Sequence, residues 1–370
     1  MAKKFALFLA FLLLLSACGP TLPTETVGGP GSSEHMELRY ANQFSVEYRI
    51  DGCTLITVQE SGRFLLVPQG QEPPEADADV TLLRQPLENI YLAATSAMGL
   101  FDGLDALGHI TLSGTQAEGW HIPNAREAME RGEILYAGKY SAPDYELLLA
   151  KGCSLAIEST MLYHAPQVQE KLEALGIPVL IERSSYETHP LGRTEWIKLY
   201  GLLTGRLAEA EVLFDAQLAY LETLSPESTG KSVAFFYISS TGSAVTRKSG
   251  DYTVKMIELA GGKSAFTDLG DPDSAAGSLN LEMERFYAQA KAADFILYNS
   301  ATTGEVRSLD ELLGKSHLLA DFKAVQSGNV WCTGQNLFQD TTGFGQMIAE
   351  MNQIFTGTAP DTLEYYYKLR

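Results

Sequence analysis

The feature that most constrains this chain is the stretch 191–224, which contains no proline and carries apolar residues at close to helical spacing. They fall at Trp196, Leu199, Leu203, Leu207, Val212 or Phe214, Leu218 and Leu221, a recurrence near 3.6 residues that gives a helix one apolar face. The pattern stops at Ser225-Pro226, where a helix cannot continue. At ~1.5 Å per residue a single helix here is a rod of roughly 45–50 Å. Gly201 and Gly205 each weaken it by ~1 kcal/mol relative to Ala, so a bend is allowed there.

On both sides of this stretch the pattern alternates between strand and helix. Before it, 90–93 reads as a strand, Thr95-Ser96 as a helix cap, 110–112 as a strand and 125–131 as a helix. The helical run 144–150 then feeds a strand at 155–157, and 167–175 is a helix closed by Gly176 ahead of the strand 178–181. After it come a strand at 233–238, helices at 254–259 and 283–293, strands at 295–298 and 329–332, and a closing helix at 345–355. Alternation of this kind predicts an α/β fold with parallel sheets. The expected architecture is two lobes, 85–190 and 225–370, joined by one long helix over 191–224.

The segment 37–84 reads differently. Phe44, Val46 and Tyr48 alternate, Asp51-Gly52 and Ser61-Gly62 mark turns, and 53–58 and 64–67 are strand-like, so an N-terminal β-hairpin extension is expected. Residues 69–79 form a Pro-rich acidic loop. The segment 18–36 is rich in Gly, Pro, Ser and Thr and reads as a flexible tether. Ahead of it, Lys3 and Lys4 precede an eleven-residue apolar run at 5–15, the length of a signal-peptide core and short of a membrane span. Leu15-Ser16-Ala17-Cys18 resembles the lipobox of bacterial lipoproteins. That resemblance implies removal of the signal peptide 1–17, acylation of Cys18 and attachment to the membrane.

The net charge of −19 argues against nucleic acid as a partner, because phosphate binding needs a basic patch. No GxSxG elbow, HExxH or phosphate-binding GxxxxGK[ST] is present, and the 6 His include no i,i+4 pair. Cys53, Cys153 and Cys332 show no metal-type spacing and read as buried thiols, with pairing left open. In open α/β sheets ligands sit beyond the carboxyl ends of the strands. The loops there supply the candidate cleft residues Thr95, Ser159, Tyr163, His164, Arg183, Tyr186, His189, Ser240 and Gln335. Trp120 and His121 are placed to close a cleft, Arg247 and Lys248 to hold an anion, and Tyr140, Tyr252 and Trp331 to offer flat contact surface.

Three segments together resemble a known family. Gly138, Pro143 and Glu146 fit a Gly-x-x-x-x-Pro-x-x-Glu pattern leading into the strand 155–157. Leu259-Ala260-Gly261-Gly262 and Met283-Glu284-Arg285-Phe286 occupy matching places in the second lobe. The chain resembles, over about 85–360, the solute-binding lipoproteins of ABC importers for ferric siderophores, haem and cobalamin. This implies two Rossmann-like lobes, one backbone helix and a ligand cleft between them. It also implies binding without catalysis, no resident cofactor or metal, and a monomer on the extracytoplasmic face of the cell membrane. Its partners would be a small-molecule metal chelate and an ABC transporter permease. By the same resemblance Glu146 and Glu284 are the permease-docking carboxylates, with Glu282 a rival for the second. The extension 37–84 lies outside the family core.

Three other readings stay open at this level. A bare divalent metal would need His121, His164 and His189 as seeds of a site. An exported hydrolase would need Ser159 or Ser185 beside His164 or His189. An adhesion lipoprotein would show a filled cleft and an exposed apolar patch on the hairpins.

Overall fold

A computed structural model describes residues 34–224, 228–271 and 277–370. The signal segment 1–17, Cys18, the tether up to residue 33 and the stop at Ser225-Pro226 lie outside the described residues. Among the described residues no helix is long and apolar enough to cross a membrane.

The extension is a five-stranded sheet of β1 (Glu34–His35), β2 (Phe44–Tyr48), β3 (Thr54–Val58), β4 (Gly62–Val67) and β5 (Val80–Arg84), in that order. Phe44, Val46, Ile56, Val58, Phe64 and Leu66 bury one face, and in β4 the alternate residues Leu65 and Val67 are buried on the other with Cys53. Two details differ from the hairpin reading. The strand β1 falls in the range read as tether, and β5 pairs with β4 in parallel rather than as a further hairpin. The acidic loop 69–79 is long enough to carry the chain back along the sheet, which a parallel neighbour requires.

The first lobe contains β6 (Ile90–Leu92), β7 (Ile110–Ser113) and β8 (Leu135–Tyr136), the short hairpin of β9 (Gly138–Lys139) and β10 (Ala142–Pro143), then β11 (Ala156–Ser159) and β12 (Val179–Glu182). Its main sheet is all parallel, ordered β12-β11-β6-β7-β8. Strands β12, β11, β6 and β7 are buried on both faces, as helix-covered parallel strands must be, while the edge strand β8 is more exposed. Those helices are α1 (Met98–Gly103), α2 (Pro123–Glu130), α3 (Tyr145–Ala150) and α4 (Pro166–Ala174).

The connector is not the straight rod that its periodicity predicts. It is α5 (Pro190–Glu195), α6 (Ile197–Thr204) and α7 (Leu207–Glu222). Gly205 caps α6 in the left-handed conformation, at φ 72°. From there α7 folds back on α6, bringing the Lys198 ammonium to 4.8 Å from the Phe214 ring centroid. In a straight helix those residues would be ~24 Å apart. Gly201 makes the reversal possible, since a Cβ there would sit 2.6 Å from that of Ala210. Each helix has its own apolar face and no proline interrupts the pair, so two helices read as one.

The second lobe contains β13 (Ser232–Ile238), β14 (Ala244–Arg247), β15 (Lys263–Ser264), β16 (Ser278–Leu281), β17 (Phe295–Tyr298), β18 (Val330–Thr333) and β19 (Tyr366–Lys368). Parallel β13, β17 and β18 form its centre, and antiparallel β14, β16 and β19 flank them. Its helices are α8 (Tyr252–Leu259), α9 (Met283–Ala290), α10 (Ser300–Thr303), α11 (Leu309–Lys315), α12 (Lys323–Gln326) and α13 (Phe344–Thr356). Cys53, Cys153 and Cys332 are buried and unpaired, and burial pushes the last two thiols up to about 11.

The extension is built into this body. Its apolar face shares one core with Leu199, Tyr200 and Leu203, and Phe44 meets Trp196 edge-on at 5.0 Å. Glu195 accepts the backbone N–H groups of Arg39, Tyr40 and Ala41 at 2.8–3.0 Å, and Glu187 accepts those of Asn42 and Gln43 at 2.9–3.1 Å. Lys198 neutralises Glu195 at 2.8 Å. Removing one member of such a buried network strands its partners without solvent. Glu195→Ala is therefore expected to cost ~3–5 kcal/mol, measured as a fall in the urea unfolding midpoint.

Candidate functional site

The carboxyl ends of β6, β11 and β12 open onto a cleft closed on the far side by the second lobe. Thr95 and Ser96 follow β6, Ser159, Thr160 and Met161 end and follow β11, and Glu182 and Ser185 end and follow β12. Opposite stand Arg247 from β14, Asp251 and Tyr252 at the start of α8, Gly277 and Phe338, with Arg193 of α5 between the lobes. The enclosed volume is about 340 Å³.

Most polar groups in the cleft already have partners. Glu182 accepts from the Ser96 hydroxyl at 2.8 Å and from the Ser184 amide at 3.0 Å. Asp251 caps α8 by accepting from the Thr253 amide and pairs with Arg247 at 3.6 Å. The Arg247 guanidinium also lies 4.8 Å from the Phe338 ring. Arg193 is only 6% exposed, stacks 4.0 Å over the Tyr252 ring, and leaves its Nε without a hydrogen-bond partner. Burial pushes the Tyr252 phenol up, opposed by the charges of Arg193 and Arg247.

A strap from the second lobe, 337–343, holds the first lobe in place. The Thr194 hydroxyl donates to the Thr341 carbonyl at 2.9 Å, and the Thr341 hydroxyl donates to the Ser96 carbonyl at 2.8 Å. The Gln339 side chain accepts from the His121 amide at 2.7 Å and donates to the Gly119 carbonyl at 2.8 Å.

Of the residues expected in the cleft, Thr95, Ser159, Arg247 and Tyr252 line it. Trp120, His121 and Gln335 line a neighbouring groove beyond the strap. Trp120 is fully buried and donates to Ser113 Oγ at 3.2 Å, so it packs the loop beneath that groove. Burial lowers the His121 pKa.

The others are placed elsewhere. Arg183 is committed to the extension: its guanidinium pairs with Glu60 at 2.6 Å, donates to the Tyr163 hydroxyl at 2.9 Å and stacks on Tyr186 at 4.2 Å. This correction withdraws Arg183 from cargo charge and makes Tyr163 and Tyr186 its supports. His189 stacks on Tyr40 at 4.4 Å, and its Nδ1 accepts from the Leu191 amide at the start of α5. His164 is exposed, Lys248 is half-buried, and neither lines the cleft. Tyr140 sits in the turn of the β9–β10 hairpin. Trp331 is built into the second-lobe core, with Lys368 over its ring at 5.7 Å. Ser240 lines a separate hollow with Thr302, Thr303 and Lys315.

Neither a metal site nor a nucleophile–base pair emerges from these positions. Among the described residues no three His, Cys, Asp or Glu side chains converge. Ser159 Oγ accepts from the Met161 amide, and among the described residues no hydrogen bond joins it to His164 or His189. Glu146 and Glu284 are exposed in the first turns of α3 and α9, and Glu282 is exposed at the N-cap of α9. None of the three makes an ion pair among the described residues.

Sequence reading missed Arg193, Glu182, Asp251 and Phe338. Arg193 did leave a signal. It precedes Trp196 by three positions, which places a charge on the apolar face of the connector.

Residues 99–337 match the family model described as periplasmic binding protein, and the chain belongs to that family. It is 25% identical over 355 residues to an uncharacterized lipoprotein of Methanocaldococcus jannaschii, covering 90% of this chain and 87% of that one. Among solved structures it is similar to a periplasmic binding protein from Veillonella parvula (TM-score 0.60, 15% identity, 89% of this chain and all of that one). It is similar also to the periplasmic haem-binding protein HutB of Vibrio cholerae (0.57, 18%, 71% and 97%). The vitamin B12-binding protein BtuF of Vibrio cholerae is a further neighbour (0.52, 16%, 73% and 98%). At these identities the neighbours speak for the fold: a mixed α/β chain with parallel sheets in two lobes.

One carboxyl near the cleft has no hydrogen-bond partner among the described residues. Glu158, just ahead of Ser159 on β11, is fully buried with both oxygens unbonded, and desolvation pushes its pKa up to about 8. The folded protein therefore holds this proton where the unfolded chain, at ~4.3, has released it. Stability is greatest below the unfolded value and falls as pH rises through the folded one, at up to ~1.4 kcal/mol per unit. Glu158→Gln is expected to remove that loss between about pH 5 and 8, read as urea stability of wild type minus variant across pH.

Proposed function

We propose that this protein is a lipid-anchored extracytoplasmic receptor that holds a metal chelate, of the ferric siderophore, haem or cobalamin type, between its lobes and delivers it to an ABC importer permease. The single observation that supports this most is the cleft itself, walled by the strand ends of one lobe and the α8 edge of the other. Family membership supplies the transport role, and the lipobox-like Leu15-Ser16-Ala17-Cys18 supplies the anchor. The strap and the folded-back connector restrict how far the lobes separate, so capture is expected to involve small movements.

Delivery falls to the carboxylates at the starts of α3 and α9. A carboxylate in a first helical turn is favoured by the helix dipole, and an unpaired one is available to permease arginines. Glu146 with Glu284 is the proposed docking pair, and the chain acts as a monomer without catalysis.

The test is titration of the purified protein with haem, ferric siderophores and cyanocobalamin, followed by visible absorbance and tryptophan fluorescence. Saturable 1:1 binding of one class is expected, and failure of all of them sinks the proposal. The Glu146→Ala, Glu284→Ala double variant is expected to bind that cargo unchanged while cellular uptake drops by at least tenfold. Uptake at the wild-type rate would reassign the docking surface.

A further inference from the structure

Arg193 is the cleft cation whose guanidinium has neither a hydrogen bond nor an ion pair among the described residues, whereas Arg247 has the Asp251 carboxylate. Glu182 is satisfied by Ser96 and Ser184, while Asp251 and Arg247 satisfy each other. Arg193 is only 6% exposed, and among the described residues no carboxylate approaches it within ion-pair distance. Its ring contacts are Tyr252 at 4.0 Å and Phe344 at 5.7 Å, which hold the guanidinium flat without neutralising it. An uncompensated buried charge costs folding free energy, and a chain retains one where a ligand completes it. A guanidinium is planar, stays charged and offers a paired donor edge that matches a carboxylate or a catecholate.

We infer that Arg193 is an anion-recognition residue at the interlobe floor, and that the cargo is an anionic chelate presenting a carboxylate or catecholate group to it. This rests on the receptor reading and narrows it. Neutral chelates leave the guanidinium uncompensated and are selected against, as is a bare divalent cation, which the guanidinium repels. The hydroxyls of Ser96, Ser159 and Ser185 provide the remaining polar wall, and Arg247 over Phe338 a second positive edge.

The experiment compares four probes on the full mature chain by calorimetry: ferric citrate, a ferric tris-catecholate, a neutral ferric trihydroxamate and cyanocobalamin. At least one anionic probe is expected to bind, with both neutral probes weaker by tenfold or more. Arg193→Gln is expected to weaken the anionic probe by roughly 10- to 100-fold, the worth of a charge-assisted hydrogen bond. Arg193→Lys keeps the charge without the planar fork and is expected to fall between the two. Equal binding of neutral probes, or an Arg193→Gln protein that binds the anion as wild type does, overturns the inference and leaves the receptor reading standing. If no probe binds, the inference falls, while the receptor reading is decided separately by the titrations that include haem. A readout without ligand is the melting temperature of Arg193→Met. Removal of an unpaired charge is expected to raise it, whereas a fall would make Arg193 a packing residue of the Tyr252–Phe344 stack and overturn the proposal.

Discussion

A carboxylate with no solvent access persists in a folded chain only if nearly all of its lone pairs are occupied, and Glu195 meets that condition through the extension. Three successive amides at 39–41 and the Lys198 ammonium converge on it. Glu187 repeats the arrangement with the next two amides, and the Trp196 indole also donates to it, at 3.0 Å, on the oxygen that accepts the Gln43 amide. An irregular backbone segment is thereby held as firmly as a strand. The extension, which precedes the residues 99–337 that match the family model, thus anchors the connector on which both lobes depend.

Helical geometry makes α5 the meeting point of the molecule. Successive residues on a helix point ~100° apart, so three neighbours face three directions. Arg193 faces the cleft, the Thr194 hydroxyl reaches the strap of the second lobe, and Glu195 receives the extension. Changes in any of these three bodies act on the same single turn. The link from the extension to the cleft rim is just as direct. Glu60 at the β3–β4 turn holds Arg183, which in turn supports the turns carrying Met161 and Ser185. Ser61 beside it accepts the Ile181 amide at 2.7 Å, so the same hairpin tip covers the outer edge of β12.

The alternation of strand and helix was legible because it follows local chemistry. Buried parallel strands read as short apolar runs, and Asp144 and Gly176 mark helix ends by capping chemistry. The flanking antiparallel strands β14, β16 and β19 were not legible, because such a strand needs a partner more than it needs a pattern. The reversal at Gly205 was hidden for a related reason: a helix cap and a tolerated interior glycine look alike until the neighbouring helix is seen. Arg183 and Arg247 were equivalent as loop cations, yet Glu60, distant in sequence, claims one and Asp251 leaves the other in the cleft.

By itself the sequence determined the fold class, the two-lobe order and the family, since each is written in local periodicity or short spacing. Tertiary structure alone decided that the connector doubles back, that the extension belongs to the body, and which side chains reach the cleft. The physical reason is that burial and pairing are set by residues far apart in the chain. A charge such as Arg193 acquires its meaning only once every neighbour that might have neutralised it is seen to be paired with something else.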